Sequence, residues 1–428
     1  MQLNKSLTHY LIFGLLSWYL LVDMINGFLV LGLGINIKLS ALYKSLILML
    51  ILVCWCSQNI KNLLYVAGLI LVFLFSEAFY LMTGETTGGH FGFTFFHIIK
   101  IITPFVCFFF MAQLVKEDPE NFVYVKRVIN INLAIFLCNM ALGIAGFGFS
   151  TYGSDADGGL GVKGFFFAGN ETSMVWVVLS AYLLNRVYMR GYRVGYLLTA
   201  LLVLFIGVII STKTSILATM LLILFTPIFI ERSNLVNPRK PIAYFFFFFL
   251  LAIGISTYFL ISFVLDSGFF DKITFFYNKR GLIGIILSGR ELFFADLYAI
   301  MSAEDSIFRV LFGLGISFYG DVAIQAFTTN VKVDSELDLP DIFFWHGLVG
   351  VATILFLFGK MTWQSLKTCF NGQYEYGNSI LLTNLLLFSI ANITGHVFTS
   401  GMLGFLWALF NVLAFYQSTS ASNKPNAS

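Results

Sequence analysis

Charge is what this chain has least of. Only 11% of its 428 residues are Asp, Glu, Lys or Arg, against about a quarter in an ordinary soluble domain. With 58% hydrophobic residues and a mean hydropathy of +0.87, a water-soluble globule is excluded. The net charge of +3 is too small to neutralise a run of nucleic-acid phosphates, so no nucleic-acid partner is expected. Cysteine is scarce as well. Cys54, Cys56, Cys107 and Cys138 fall in apolar runs and Cys369 in an inner loop, so neither disulfides nor a metal site is expected. Cys54 and Cys56, one residue apart, are too close for a zinc pair. The N-terminal apolar run after Lys5 lacks a small-residue cleavage site and reads as an uncleaved anchor. There is no inverted internal repeat of the kind that marks many transporters.

Hydrocarbon fills the space that charge leaves. Runs of about 20 apolar residues, each long enough to cross a bilayer as a helix, cover 9–31, 39–57, 63–82, 92–115, 123–147, 170–188, 194–211, 215–231, 241–265, 341–359, 378–395 and 399–417. Lipid cannot satisfy backbone N–H and C=O groups. The expected fold is therefore all-α, a polytopic bundle of about twelve transmembrane helices. The 50 phenylalanines, Phe245–Phe249 among them, fit lipid partitioning better than a message.

Lysine and arginine set the orientation. They cluster at Lys116, Lys126 and Arg127, at Arg186, Arg190 and Arg193, at Arg232, Arg239 and Lys240, and at Lys360 and Lys367. The intervening loops at 83–91, 148–169 and 396–398 carry Lys163 alone, although Lys38 and Lys44 run against the trend. Both termini are thereby expected in the cytoplasm, with 148–169 and 266–340 outside. Three regions follow. Residues 1–265 hold nine helices and the 148–169 loop, 266–340 form a large external loop, and 341–428 hold three helices and a short tail.

Polar chemistry is concentrated in 266–341, which holds eleven of the 22 acidic residues and six basic ones: Lys272, Lys279, Arg280, Arg290, Arg309 and Lys332. Ser288 with Glu291 has the spacing of a capping box. Beyond it, Leu292, Phe293, Ala295, Leu297, Ile300 and Met301 recur at helical spacing, predicting an amphipathic helix at the membrane surface. A second amphipathic stretch, 306–319, follows. Arg280 and Arg290 suit a phosphate through two-pronged, charge-assisted hydrogen bonds; snorkelling to lipid headgroups would explain them too. Glu336, Asp338 and Asp341 fall within six residues, where a desolvated carboxylate can serve as a general base and a solvated acidic turn is the plainer alternative. Lys213, at an outer membrane edge, can reach a phosphate or snorkel. Asn170 and Glu171 can contact a sugar or cap their helix. Asp155, Asp157 and Gly159 have the start of a calcium loop without its later ligands, so 148–169 reads as a glycine-rich connector. Asp23, Glu77, His97 and Lys100 lie in apolar runs, where mutual pairing would suffice to explain them.

These features together resemble the O-antigen and capsular polysaccharide polymerases, relatives of the O-antigen ligases. The motifs that carry the resemblance are Ser288-Gly289-Arg290, the Ser/Thr-rich turn around Lys213 where the family more often has Arg, and the acidic stretch Glu336–Asp341 followed by Gly347-Leu-Val-Gly350. Ligase-like members have a His where Glu336 stands, which favours a polymerase. Arg309, with ten residues between it and Gly320, fits a further Arg–Gly spacing of some polymerases. The resemblance implies transfer of a growing glycan from undecaprenyl pyrophosphate to the non-reducing end of a new lipid-linked repeat unit. The reaction would take place at the outer face of the bacterial cytoplasmic membrane. Pyrophosphate is a good leaving group, so no cofactor or metal is implied. Arg290 and Lys213 would hold the pyrophosphate with Arg280 in support, and Arg309 would assist in binding. Glu336 would be the base with Asp338 next in line, Asp341 would orient either carboxylate or bind sugar, and Asn170 would bind substrate. The implied partners are the donor and acceptor lipid-linked glycans, the bilayer and a chain-length regulator protein. A ligase and a lipid-linked oligosaccharide flippase are the rival readings.

Overall fold

The computed structural model describes residues 5–83, 91–153, 159–230, 289–303, 306–326, 334–371 and 375–416, with five single positions between 274 and 287. The expected span 241–265 and residues Asp155, Asp157, Lys279, Arg280 and Ser288 lie outside the described residues. What is described is almost wholly helical. The helices are α1 (Lys5–Gly27, continued by a π turn Phe28–Gly32), α2 (Leu39–Gln58), α3 (Ile60–Thr83), α4 (Phe91–Glu117) and α5 (Asn121–Ile144). After a hairpin of β1 (Phe149–Tyr152) and β2 (Leu160–Gly164) come α6 (Gly169–Met189), α7 (Arg193–Ile210) and α8 (Lys213–Ile230). The later chain forms α9 (Arg290–Ser302), α10 (Ile307–Phe312), α11 (Ile316–Ala326), α12 (Asp338–Asn371), α13 (Gly377–Ile393) and α14 (Leu403–Val412).

Eight of these helices are long and apolar enough to cross a membrane by length and composition. The expected spans at 170–188, 378–395 and 399–417 fall on helices outside those eight. The reason is clearest for α6, which faces protein on nearly all sides: every residue from Thr172 to Tyr182 is buried. Ringed by other helices, it can carry Thr172, Ser173, Ser180 and Asn185, which lipid would penalise. Helices in hydrocarbon gain little from apolar burial and associate through close packing and polar contacts. Asn384 on α13 illustrates this. It accepts from Trp407 Nε1 at 2.8 Å and donates to Asn411 Oδ1 at 2.7 Å and Thr362 Oγ1 at 3.1 Å, joining α12, α13 and α14.

Three sequence expectations need correction, and a fourth gains detail. The 148–169 connector folds into an antiparallel hairpin, with Ser150 opposite Val162 and Tyr152 opposite Leu160. It is stitched to α5 by Asn139, which donates to Lys163 O at 2.9 Å and accepts from Phe165 N at 2.8 Å. The capping box does not begin α9. Gly289, at φ 91°, precedes Arg290 and makes the turn without a side-chain cap. The stretch 306–319 is not one helix but two, broken at Gly313-Leu314-Gly315. Nor do these helices only lie on a surface. Leu297, Met301, Leu314, Ile316 and Tyr319 share a small core with Tyr80 of α3 and with Phe344 and Trp345 of α12.

That core exists because α12 breaks at Gly347, at φ 64° and ψ −166°. The break leaves upstream carbonyls without helical donors. Leu314 N donates to Phe344 O and Gly315 N to Trp345 O, both at 3.0 Å. A Cβ on Gly313 would overlap the backbone of Trp345 and His346, and one on Gly347 would overlap the Leu311 carbonyl. Only glycine permits both the left-handed turn and this backbone approach.

Candidate functional site

The alternation of helices brings the connections 33–38, 145–168, 211–212, 334–337 and 394–402 to one end of the bundle. There the two halves of the polar segment meet. Arg290, the first residue of α9, donates through Nη2 to Glu336 Oε2 at 2.9 Å. Their side chains are 11% and 18% exposed, so the pair is largely withdrawn from water. Arg290 also donates to Leu287 O at 3.3 Å.

The backbone around Glu336 is held from both sides. Glu336 itself is left-handed, at φ 58°, a conformation rare outside glycine, asparagine and aspartate. Gly395 packs so closely on the Glu336 carbonyl that a Cβ there would overlap it. Downstream, the buried Asp338 carboxylate accepts from His396 N at 3.0 Å, Val397 N at 2.6 Å, Phe398 N at 2.9 Å and Thr399 Oγ1 at 2.8 Å. Asp341 reaches back and accepts from Ser335 N at 2.6 Å and Ser335 Oγ at 2.5 Å.

Three carboxylates that look equivalent in sequence therefore do different work. Asp338 and Asp341 tie the turn to the 394–402 connection and to itself; hydrogen bonds engage both oxygens of Asp338 but only Oδ1 of Asp341. These bonds argue against the proton-accepting role expected of Asp338, and Asp341 positions Ser335. Glu336 is the one whose side chain turns to a cation.

Lys213 begins α8 beside this turn, where Thr214 Oγ1 donates to Thr394 Oγ1 at 3.1 Å. Asn170 does not cap α6, whose N-cap is Ala168. Instead Asn170 lines a cavity of about 250 Å³ with Tyr152, Glu171 and His396. Burial pushes the Tyr152 phenol above its ordinary range, while the charge of Arg290 acts against that and Glu336 adds to it. Tyr152 is thus the electrostatic neighbour of the ion pair. Arg309 lies elsewhere: its guanidinium stands over the rings of Tyr80 and Phe318, 5.3 and 5.9 Å from their centroids, in the small core under α11.

Among the intramembrane ionisable residues, Asp23 pairs with Lys44 at 2.6 Å and accepts from Ser40. Glu77 accepts from Ile316 N, from Ser317 N at 3.0 Å and from Thr94 Oγ1 at 3.3 Å, which satisfies the start of α11. Pairing explains Asp23, and helix capping explains Glu77. His97 and Lys100 line a separate cavity.

Sequence reasoning missed Tyr152, Ser335 and the 394–402 connection. The last shows only as a short interhelical turn, and its left-handed His396 (φ 62°) leaves no mark in composition. Compared with protein-family models, with curated proteins and with solved structures, the chain matches none.

Proposed function

We propose that the protein is a membrane glycosyltransferase that polymerises lipid-linked polysaccharide repeat units at the outer face of a bacterial cytoplasmic membrane. The single observation that carries this reading is the Arg290–Glu336 pair, half-sequestered at the mouth of an apolar bundle. An acid–base group and a phosphate-binding group in contact are what the transfer requires. In the resting protein each neutralises the other. A pyrophosphate arriving at Arg290 competes for the guanidinium with a planar, doubly bonded geometry. Glu336 is then released as a carboxylate in a poorly hydrated place.

The reaction follows from those two groups. A hydroxyl at the non-reducing end of the acceptor attacks the anomeric carbon of the donor glycan. The bond from that carbon to the pyrophosphate oxygen breaks, and the lipid pyrophosphate leaves with the electron pair. The hydroxyl proton passes to Glu336. Arg290, with Lys213 from the start of α8, stabilises the charge developing on the leaving group. Asn170 and Tyr152 border the space a sugar would occupy.

The test is made in cells carrying Arg290→Ala or Glu336→Gln protein at wild-type abundance. The expected product is a single repeat unit displayed on the surface, without long polymer. Long polymer in either strain would overturn the assignment. Lipid-linked units left facing inward would point to a flippase.

A further inference from the structure

A larger cavity, about 450 Å³, opens at the same end of the bundle between α1, α2, α4 and the 394–402 connection. Lys38, Lys44 and Lys100 line it against two carboxylates, Asp23 and Glu171. Both carboxylates already have partners. Asp23 holds Lys44 and Ser40, and Glu171 Oε2 accepts from Ser400 Oγ at 2.9 Å and Met402 N at 2.8 Å. Lys100 makes no hydrogen bond or ion pair among the described residues, though its charge acts on Glu171. The site thus keeps one positive charge in excess.

The charged groups surround an open point. A Cβ placed on Gly401 would stand 3.4 Å from Lys100 Cε, 3.8 Å from Glu171 Oε2 and 3.9 Å from Lys44 Nζ. The glycine leaves room there for a ligand atom to touch all three. A second polar group waits in the wall: His97 is 8% exposed, and its Nδ1 has no partner among the described residues. Buried polar atoms without partners are uncommon and call for a reason.

The rim decides the class of ligand. Phe93 and Phe167, which line the cavity, are 45% and 52% exposed, with Phe96 and Val30 beside them. Lys38 Nζ stands 5.6 Å from the ring of Phe96. A small soluble anion has no use for such a rim. An anion joined to a hydrocarbon chain does.

We propose that this cavity binds the phosphate of a polyprenyl-linked glycan, as a second lipid-phosphate site beside the Arg290–Glu336 pair. The proposal rests on the polymerase reading, in which two lipid-linked glycans must be held at once. The donor's pyrophosphate leaves at Arg290, and the acceptor's stays intact and needs its own anchor. The two places adjoin. The smaller cavity at Tyr152, Asn170 and His396 shares Ala168 and Glu171 with the larger one. A glycan anchored near Lys100 would extend its non-reducing end past these residues toward Glu336.

The experiment is native mass spectrometry of the full chain in lipid nanodiscs, titrated with undecaprenyl pyrophosphate. Wild-type protein is expected to bind two molecules. Lys100→Gln and Gly401→Val should each weaken one of them about tenfold or more, the loss of one hydrogen bond to a charged group. Gly401→Val keeps every charge and fills the space, so it guards against a folding defect in the lysine variant. Unchanged binding of two molecules by both variants would overturn the proposal. So would displacement by excess phosphatidylglycerol, which would make this a general headgroup site, or equal binding of undecaprenol, which has no phosphate. Arg290→Ala should lose the other molecule. If it loses none while the cavity variants lose theirs, the cavity stands and the donor-site assignment falls; the reverse pattern sinks this inference alone.

Discussion

Replacing Asp338 by Asn should unfold the site rather than disarm it. The carboxylate accepts four hydrogen bonds, three from consecutive backbone N–H groups and one from Thr399. An asparagine offers one oxygen where there were two, and turns an NH2 group toward donors. Two of the four bonds are lost outright. At roughly 1.5–3 kcal/mol for each bond to a charged group, the cost is about 3–6 kcal/mol. That is a large share of the 5–15 kcal/mol by which folded proteins are typically stable. Thr399→Val removes a single donor and should cost about half as much. The chain contains its own reporters, since Cys107 and Cys369 are buried thiols outside any disulfide. Their labelling by a thiol-reactive dye during a temperature ramp in detergent measures the loss of packing. Asp338→Asn should melt well below wild type, with Thr399→Val between them. A variant that melts like wild type yet makes no polymer would refute this reasoning and return Asp338 to the chemistry.

Other substitutions follow the same logic. Glu77→Gln keeps the oxygen that accepts from Ile316 N and Ser317 N and should melt near wild type, whereas Glu77→Ala strands two buried donors at about 1–3 kcal/mol each; the same dye assay reads both. Gly347→Ala forces alanine into a left-handed turn at roughly 1–2 kcal/mol and drives its Cβ into the Leu311 carbonyl. It should cost more than that figure, and protease sensitivity of the 306–326 region should rise with it. Asn384→Ala removes the junction of three helices, and at about 0.6 kcal/mol per interhelical bond the loss should be near 2 kcal/mol. Unfolding in mixed micelles checks it, and no measurable change would refute the assignment of Asn384 as a structural hub.

Much of the architecture was legible because lipid imposes a long, plain signal. The start and end of α2, α4 and α8 fall within a few residues of the hydropathy boundaries. One exception is α6, which is polar enough to fall short as a span although every residue from Thr172 to Tyr182 is buried. Composition cannot tell a helix surrounded by helices from one surrounded by water. The site was half legible. Arg290 and Glu336 stood out by residue type and neighbourhood, and they meet across 46 positions of sequence. Asp338 and Asp341 were indistinguishable from Glu336, since what separates them is which donors lie opposite. Those donors are backbone N–H groups of residues 335 and 396–398, and every sequence has such groups everywhere. The π turn after α1 and the left-handed residues at 211, 336 and 396 were invisible for the same reason.

The connection at 394–402 has a consequence for how the molecule comes into being. It supplies the donors that fix Asp338, the glycine that admits the Glu336 turn, and the partners of Glu171 some 229 and 231 residues earlier. A ribosome makes this stretch only after α1 to α13. Until α13 and α14 have entered the bundle, the acidic turn has nothing to lean on and Glu171 is a buried carboxylate without Ser400 or Met402. Pairs such as α1 with α2 and α7 with α8 can pack as they emerge, whereas α4 and α6 also wait for α14. The Glu336 turn waits as well, so a chain interrupted before residue 394 would lack both the donors that fix Asp338 and the helix on which α4 packs.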